Sequence, residues 1–121
     1  MVVAVRETFF TVTVRDMERA RGFYVAALGA TVASASPRWS SLCIAGVRVS
    51  LFLDPGHAPD RIGLHFVVDD LPRACESIGR AGGRVVAPAT EVAPGVVTCD
   101  VADTEGNVLT LVQGGGATSQ P

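Results

Sequence analysis

The side chains of this 121-residue chain that could bind or transform a small molecule are few and widely spaced. Most of them interrupt short apolar stretches that are typical of β-strands. They are Phe9, Thr11, Trp39, Arg48, Ser50, Phe52, His65 and Thr110. An imidazole can transfer protons near neutral pH, a guanidinium can pair with an acid, and aromatic rings can stack. Together these residue types predict an apolar pocket with a few polar anchors, as in most small-molecule sites.

Composition argues against several other kinds of function. The net charge is −2, with ten arginines and no lysine, which gives no basic patch for nucleic acid. Three cysteines, Cys43, Cys75 and Cys99, lack Cys-x-x-Cys spacing, so we expect reduced thiols rather than a disulfide framework or a zinc site. Apolar runs fall far short of the ~20 residues of a membrane span, and nothing at the start resembles a signal peptide. These features predict a cytoplasmic protein without a nucleic-acid or membrane partner.

A repeated pattern predicts the elements that hold these residues. Residues 16–20 read Asp-Met-Glu-Arg-Ala, and residues 70–74 read Asp-Leu-Pro-Arg-Ala. A strand-like apolar run precedes each copy, and a glycine follows at equal distance, Gly29 in the first and Gly83 in the second. Such a repeat predicts two modules that share a core, because roughly 55–60 residues alone bury too little apolar surface.

Each half of the chain is predicted to contain one helix and four strands. Asp16 and Asp70 can accept hydrogen bonds from the free amides of a first helical turn, so the helices begin there and run to about residues 28 and 81. Strands are predicted at 9–14, 31–36, 39–44 and 48–53, and again at 64–68, 84–87, 96–101 and 108–112. The segments around 36–41 and 90–95 have no regular pattern. We therefore expect an α+β fold of two tandem βαβββ modules whose curved sheets form a cleft.

Both modules are expected to form one domain over residues 1–121. Module one covers about 5–54, a linker rich in turn-forming residues covers 55–61, and module two covers about 62–113. A tail rich in glycine and polar residues, 114–121, is expected to be flexible. The exposed edges of two such sheets favour pairing with another chain, so we expect a homodimer.

Two motifs resemble those of the vicinal oxygen chelate superfamily, also called the glyoxalase/bleomycin-resistance/dioxygenase group. The first is Val-Arg-Asp-Met-Glu-Arg-Ala at 14–20, followed by Phe23-Tyr24 and Leu28-Gly29. The second is Asp-Thr-Glu-Gly-Asn-Val-Leu-Thr-Leu at 103–111, with Thr104 where the family usually has proline. The resemblance spans about residues 5 to 113. It implies the fold and not the reaction, because members include isomerases, epimerases, dioxygenases, thiol transferases and antibiotic-binding proteins.

The resemblance also implies where a catalytic metal would be held. Catalytic members use His, Gln or Glu on the first and last strands of each module. The matching positions here are Phe9, Ser50, Gly63 and Thr110. Phenylalanine and glycine offer no side-chain donor, and neutral hydroxyls are weak ligands in such a site. We therefore expect no metal and no other cofactor.

The predicted function follows from a scaffold that keeps its cleft without metal ligands. We expect a binding protein that sequesters an aromatic natural product or antibiotic, with Phe9, Thr11, Trp39, Arg48, Ser50, Phe52, His65 and Thr110 around the ligand. The alternative is a metal-independent isomerase or cyclase of secondary metabolism that uses His65 as acid and base. A third possibility is a member whose cleft has filled and which acts only as an interaction partner.

Structural roles stay open for most of these side chains. Trp39 can cover the end of a sheet, and Phe9 and Phe52 can belong to the core. Arg48 can be a solvated strand residue, and His65 can be a hydrogen-bonded structural histidine. Ser50 and Thr110 fit ordinary strand positions and are singled out only by the register of the repeat.

Overall fold

Each half of the chain begins with a strand and a helix and continues with further strands, as the repeat predicts. The computed structural model describes residues 2–114. Its elements are β1 (Phe10–Val14), α1 (Met17–Leu28), β2 (Thr31–Ala35), β3 (Trp39–Ile44), β4 (Val47–Leu53), β5 (Arg61–Val67), α2 (Leu71–Arg80), β6 (Arg84–Val85), β7 (Thr90–Ala93), β8 (Val96–Ala102) and β9 (Val108–Gln113). Apart from Gly114, the tail predicted to be flexible lies outside the described residues. Within residues 2–114, neither helix has the length and apolar character that crossing a bilayer requires.

The two helices begin alike and end differently. The Asp16 carboxylate accepts a hydrogen bond from the Arg19 amide at 3.0 Å, and Asp70 accepts one from the Arg73 amide at 3.1 Å. Both aspartates are therefore the N-caps that the sequence predicts. Gly29 ends α1 in the left-handed conformation, at φ 67°. After α2 the left-handed residue is Gly82, at φ 100°, so Gly83 is not the structural counterpart of Gly29.

The strands form two sheets of the same topology. The first sheet has the order β1-β4-β3-β2, and the second has the order β5-β9-β8-β6. The first strand of each module pairs in parallel with its last strand, while the other pairs are antiparallel. This arrangement confirms the predicted α+β fold. The second sheet has an additional strand, β7, where no regular element was predicted; Gly95, at φ 75°, allows the tight turn that pairs β7 with β8.

One face of each sheet is covered by helix and forms the core. In the first sheet Val12, Leu42 and Leu51 are buried beneath α1, whose Phe23 and Tyr24 are also buried. In the second sheet Leu64, Cys99, Val101, Leu109 and Leu111 are buried, and so is Ile78 of α2. Because side chains alternate along a strand, the polar residues between these positions lie on the opposite faces.

A five-residue loop between β8 and β9 joins the modules. In this loop, residues 103–107, Glu105 is fully buried and accepts hydrogen bonds from the Arg15 and Asp16 amides at 2.8 and 2.9 Å. The Arg19 side chain completes an ion pair with the same carboxylate at 2.8 Å. Tyr24 donates its hydroxyl proton to Asp103 at 2.7 Å. The motif that carries the family resemblance therefore ties module two to the start of α1.

An apolar cavity of about 840 Å³ lies between the two modules. Module one lines it with Phe10, Ala27, Leu28, Ile44, Ala45, Val47 and Val49. Module two lines it with residues 63–67 of β5, the following Val68, Ala74 and Ile78 of α2, and Leu111 of β9. The two strands that flank it, β1 and β5, lie at the edges of their sheets. Phe10 and Val67 on these edges are 46% and 58% exposed.

Candidate functional site

The module-one residues predicted to bind a ligand share one sheet face. Register pairs place Trp39 beside Phe52, Ser41 beside Ser50, and Thr11 beside Ser50. The rings of Trp39 and Phe52 meet edge to face, with centroids 6.0 Å apart. Phe9, which precedes β1, lies on the same face because the Arg48 guanidinium sits over its ring. We call this surface, Phe9, Thr11, Trp39, Ser41, Arg48, Ser50 and Phe52, the Arg48 face.

The Arg48 guanidinium is the centre of this face. Its carbon lies 4.3 Å from the centroid of the Phe9 ring, which is a cation–π contact. Nη1 forms an ion pair with the Glu7 carboxylate at 3.2 Å, and Nη2 donates to Ser41 Oγ at 3.4 Å. Arg48 therefore contacts an aromatic ring, a carboxylate and a hydroxyl of its own module, although 40% of its side chain is exposed.

Two polar atoms of the Arg48 face are buried without a hydrogen-bond partner among the described residues. They are Arg48 Nε and Ser50 Oγ. Ser50 is fully buried and sits between Thr11 and Ser41 in the sheet register. Buried polar groups in folded proteins are nearly always paired with protein, water or ligand, because leaving one unpaired costs ~1–3 kcal/mol. These two atoms therefore have unused capacity for hydrogen bonds.

The module-two residues form a separate polar group on the open face of the second sheet. His65 and Thr110 are register partners, as are Thr110 and Asp100. Thr110 donates to one oxygen of Asp100 at 2.8 Å, and Arg61 pairs with the other oxygen at 3.0 Å. We call Arg61, His65, Asp100 and Thr110 the His65 face.

The charge of Asp100 is stabilised by its neighbours. Hydrogen bonds from Arg61 and Thr110 hold the pKa of the Asp100 carboxyl below its ordinary value, and the nearby His65 acts in the same direction. His65 is exposed, with Nδ1 3.2 Å from the Gly63 carbonyl oxygen. Asp100 and His65 both neighbour Thr110 in the sheet register, so a carboxylate and an accessible imidazole share one face.

The predicted residues thus form two groups. Phe9, Thr11, Trp39, Arg48, Ser50 and Phe52 lie on the Arg48 face, and His65 and Thr110 lie on the His65 face. Of these eight, only His65 is among the residues that line the cavity between the modules. Gly63 also lines it, and an added Cβ there would meet no atom within 4 Å, so this position is open. One cleft containing all eight side chains stays a prediction.

Sequence reasoning missed four functional candidates. Glu7 and Ser41 contact Arg48, and Arg61 and Asp100 complete the His65 face. Asp100 lies between apolar residues in its strand, so strand periodicity carried a signal for it, whereas Ser41 follows Ser40 and breaks the alternation. Glu7 carried none, because it precedes β1 and reaches the site only through Arg48.

The donors at the four family metal positions do not fit a divalent metal. Phe9 contributes its ring to Arg48, and Gly63 has no side chain. Thr110 Oγ1 already donates to Asp100, and Ser50 offers one neutral hydroxyl. Within residues 2–114, no cluster of three or more His, Cys, Asp or Glu side chains is placed to hold a metal. Divalent metals in proteins are bound by imidazole, carboxylate, thiolate or several oxygens at once, which this set does not supply.

Comparison with known proteins gives one family and one fold. A family model described as Glyoxalase/Bleomycin resistance protein/Dioxygenase superfamily matches residues 8–111. A search of curated proteins gave no match. The solved fosfomycin resistance protein FosX from Listeria monocytogenes has a TM-score of 0.79 at 14% identity, with 99% of this chain and 100% of that chain covered. A glyoxalase/bleomycin resistance protein/dioxygenase family enzyme from Burkholderia phytofirmans PsJN has a TM-score of 0.77 at 16% identity, with 88% of this chain and 96% of that chain covered. TioX from Micromonospora sp. ML1 has a TM-score of 0.67 at 20% identity, with 93% of this chain and 98% of that chain covered.

Proposed function

We propose a function from the premise that this chain belongs to the glyoxalase/bleomycin resistance protein/dioxygenase superfamily. It binds a small aromatic molecule, a natural product or an antibiotic, and holds it without changing it and without a metal. The observation that carries this proposal is the Arg48 face, where two aromatic rings lie beside buried polar atoms that have no hydrogen-bond partner within residues 2–114. Two of the solved proteins with this fold are fosfomycin resistance proteins, so a role in drug resistance suits the scaffold.

The chemistry of the Arg48 face favours capture. Trp39 and Phe52 supply apolar area, and a ligand ring that stacks on them gains about 0.5–1.5 kcal/mol beyond the burial of that area. Ser50 Oγ and Arg48 Nε, which have no partner among the described residues, orient the ligand through hydrogen bonds. Affinity therefore comes from the rings, and selectivity comes from the polar atoms.

Trp39 makes this proposal measurable, because it is the only tryptophan of the chain. In a titration with aromatic natural products, we expect saturable quenching of its fluorescence at one ligand per site. Phe52→Leu removes the ring beside Trp39, so Kd should rise about tenfold, which corresponds to ~1.4 kcal/mol. Phe10→Leu is the matched control: Phe10 is similarly exposed but lines the cavity between the modules, so its loss should leave Kd unchanged.

A second measurement on the same mixtures tests whether the ligand is held without being changed. Mass spectrometry after incubation with excess ligand should recover the compound unaltered. Recovery of a converted compound, together with loss of conversion in His65→Ala while quenching persists, would instead establish the second candidate. That candidate is a metal-independent isomerase or cyclase, and the observation in its favour is that an exposed imidazole, His65, shares a sheet face with Asp100 and Thr110.

We propose in addition that the chain is a cytoplasmic homodimer. The edge strands β1 and β5 flank one apolar cavity and expose Phe10 and Val67, and a second copy is the partner that would cover both edges. All three cysteines are free, which suits a reducing compartment.

Light scattering at micromolar concentration should give twice the chain mass of 12.5 kDa. Val67→Glu should shift the mass towards the monomer because it places a charge on the β5 edge, whereas Val92→Glu on β7 should not. A mass of 12.5 kDa for the unmodified chain would refute the dimer.

A further inference from the structure

The segment before β1 lies against the Arg48 face. Residues 7–9 belong to no helix or strand. They contact the sheet through Arg48, with the Glu7 carboxylate at 3.2 Å from Nη1 and the Phe9 ring beneath the guanidinium. Glu7 and Arg48 side chains are 57% and 40% exposed, so water screens this ion pair. Such exposed pairs contribute little stability, and a competing anion can replace the carboxylate.

Beneath this weak ion pair lie the unused hydrogen-bonding groups. Arg48 Nε and Ser50 Oγ are buried and unpaired within the described residues, and Ser50 is fully buried. Glu7 binds Nη1, on the side of the guanidinium away from the Nε hydrogen. Nε and Nη2 lie along one edge of the guanidinium, so an acid group with two oxygens can accept from both of them and also from the Ser50 hydroxyl.

We infer that the ligand of the Arg48 face is an aromatic organic anion, and that Glu7 competes with its acid group for the charge of Arg48. This inference rests on the proposed function and adds the chemical class of the ligand and an internal competitor. The acid group binds Arg48 and Ser50, while the ring of the ligand stacks on Trp39 and Phe52. The net charge of −2 gives no long-range attraction for anions, so selectivity comes from this local contact.

The test uses two probes with one ring system. 8-Anilinonaphthalene-1-sulfonate carries an acid group, and N-phenyl-1-naphthylamine is the same skeleton without it. Quenching of Trp39 reports binding at the Arg48 face. We expect the sulfonate to bind at least tenfold more tightly than the neutral probe, since a charge-assisted hydrogen bond is stronger than a neutral one.

Three variants separate the roles of the charged groups. Glu7→Gln removes the competitor and should tighten the sulfonate about two- to fivefold, with the neutral probe unchanged. Arg48→Gln should bring the sulfonate down to the affinity of the neutral probe, whereas Arg48→Lys should keep part of the preference because it keeps the charge. Glu91→Gln and Arg84→Gln make the same charge changes at exposed positions of the second sheet and should alter neither probe.

The outcomes are distinguishable. If both probes quench Trp39 with equal affinity, the inference is wrong and the proposed binding function stands. If neither probe quenches Trp39, both fail. If Arg48→Gln lowers sulfonate affinity but Glu7→Gln does not raise it, Glu7 is no competitor and that part of the inference is overturned. Melting curves that match the unmodified chain show that each variant is folded.

Discussion

Replacing Glu105 by alanine should lower the free energy of unfolding by about 3–5 kcal/mol, because it removes a buried acceptor and leaves several donors unpaired at ~1–3 kcal/mol each. Glu105 is fully buried and accepts two backbone amides of residues 15 and 16, the Thr104 hydroxyl and the Arg19 side chain. All of these donors would lose their acceptor at once. For a chain of this size, the melting temperature should fall by roughly 10–20 °C.

Glu76→Ala is the matched control for this substitution. Glu76 also forms an ion pair with an arginine, Arg80, at 3.4 Å, but both side chains are mostly exposed. An exposed pair on a helix contributes ~0.5 kcal/mol or less, so urea unfolding should barely change. Equal losses in Glu76→Ala and Glu105→Ala would show that the 103–107 loop does not hold the modules together.

The pH dependence gives an independent check on Glu105. Burial by itself would raise the pKa of this carboxyl, but the Arg19 side chain and the backbone amides outweigh burial and lower it. A carboxyl whose folded-state pKa is lowered stabilises the fold above its unfolded pKa of about 4.3, and the stabilisation is lost as pH falls through the folded value. Glu105→Gln should therefore flatten the acid side of the stability curve.

The pKa of the Asp103 carboxyl shifts in the opposite direction to that of Glu105. Burial raises the pKa of the Asp103 carboxyl despite hydrogen bonds from Tyr24, Glu105 and Asn107. Its contribution to stability is therefore present at low pH and lost as pH rises through the folded pKa. Asp103→Asn removes the titration of this carboxyl, whose effect on stability is opposite to that of Glu105. The loss of stability caused by protonation of Glu105 should therefore be larger when urea unfolding is measured between about pH 3 and 7.

Gly83→Ala should destabilise the fold by about 3 kcal/mol or more. An added Cβ would collide with the Ala102 carbonyl oxygen and would lie 2.8 Å from Ile78 and 2.9 Å from Phe23. The carbonyl belongs to β8, and Phe23 belongs to the buried face of α1, so neither can yield without moving its element. Gly83 is therefore needed for the close approach of the two modules.

A second glycine of the same segment should respond in the opposite sense. Gly79 lies inside α2, and an added Cβ there meets no atom within 4 Å. Gly79→Ala should raise the free energy of unfolding by about 0.5–1 kcal/mol, because alanine loses less conformational entropy in a helix. Urea unfolding of both variants should therefore separate them by about 4 kcal/mol, and similar values for the two would contradict the contact argument.

Local patterns predicted much of the fold. Asp16 and Asp70 cap their helices because their carboxylates meet amides of the same turn, which needs no distant partner. Periodicity located most strands, and duplication of the pattern produced duplication of the sheet topology. Periodicity did not locate β7, because the pairing of this strand depends on β8. The repeat did not reveal the role of Gly83, because that role depends on a contact with Phe23.

By itself, the sequence determined the two modules, their caps and the strand faces on which Thr11, Ser50 and Thr110 lie, since these follow from spacing along one element. Only the tertiary structure decided what those faces contain. It brought Glu7 onto Arg48, placed Asp100 beside Thr110, and turned the 103–107 motif into the connection between the modules. These contacts join residues far apart in the chain, and their partners are set by sheet register and by packing between modules, which no single stretch of sequence records.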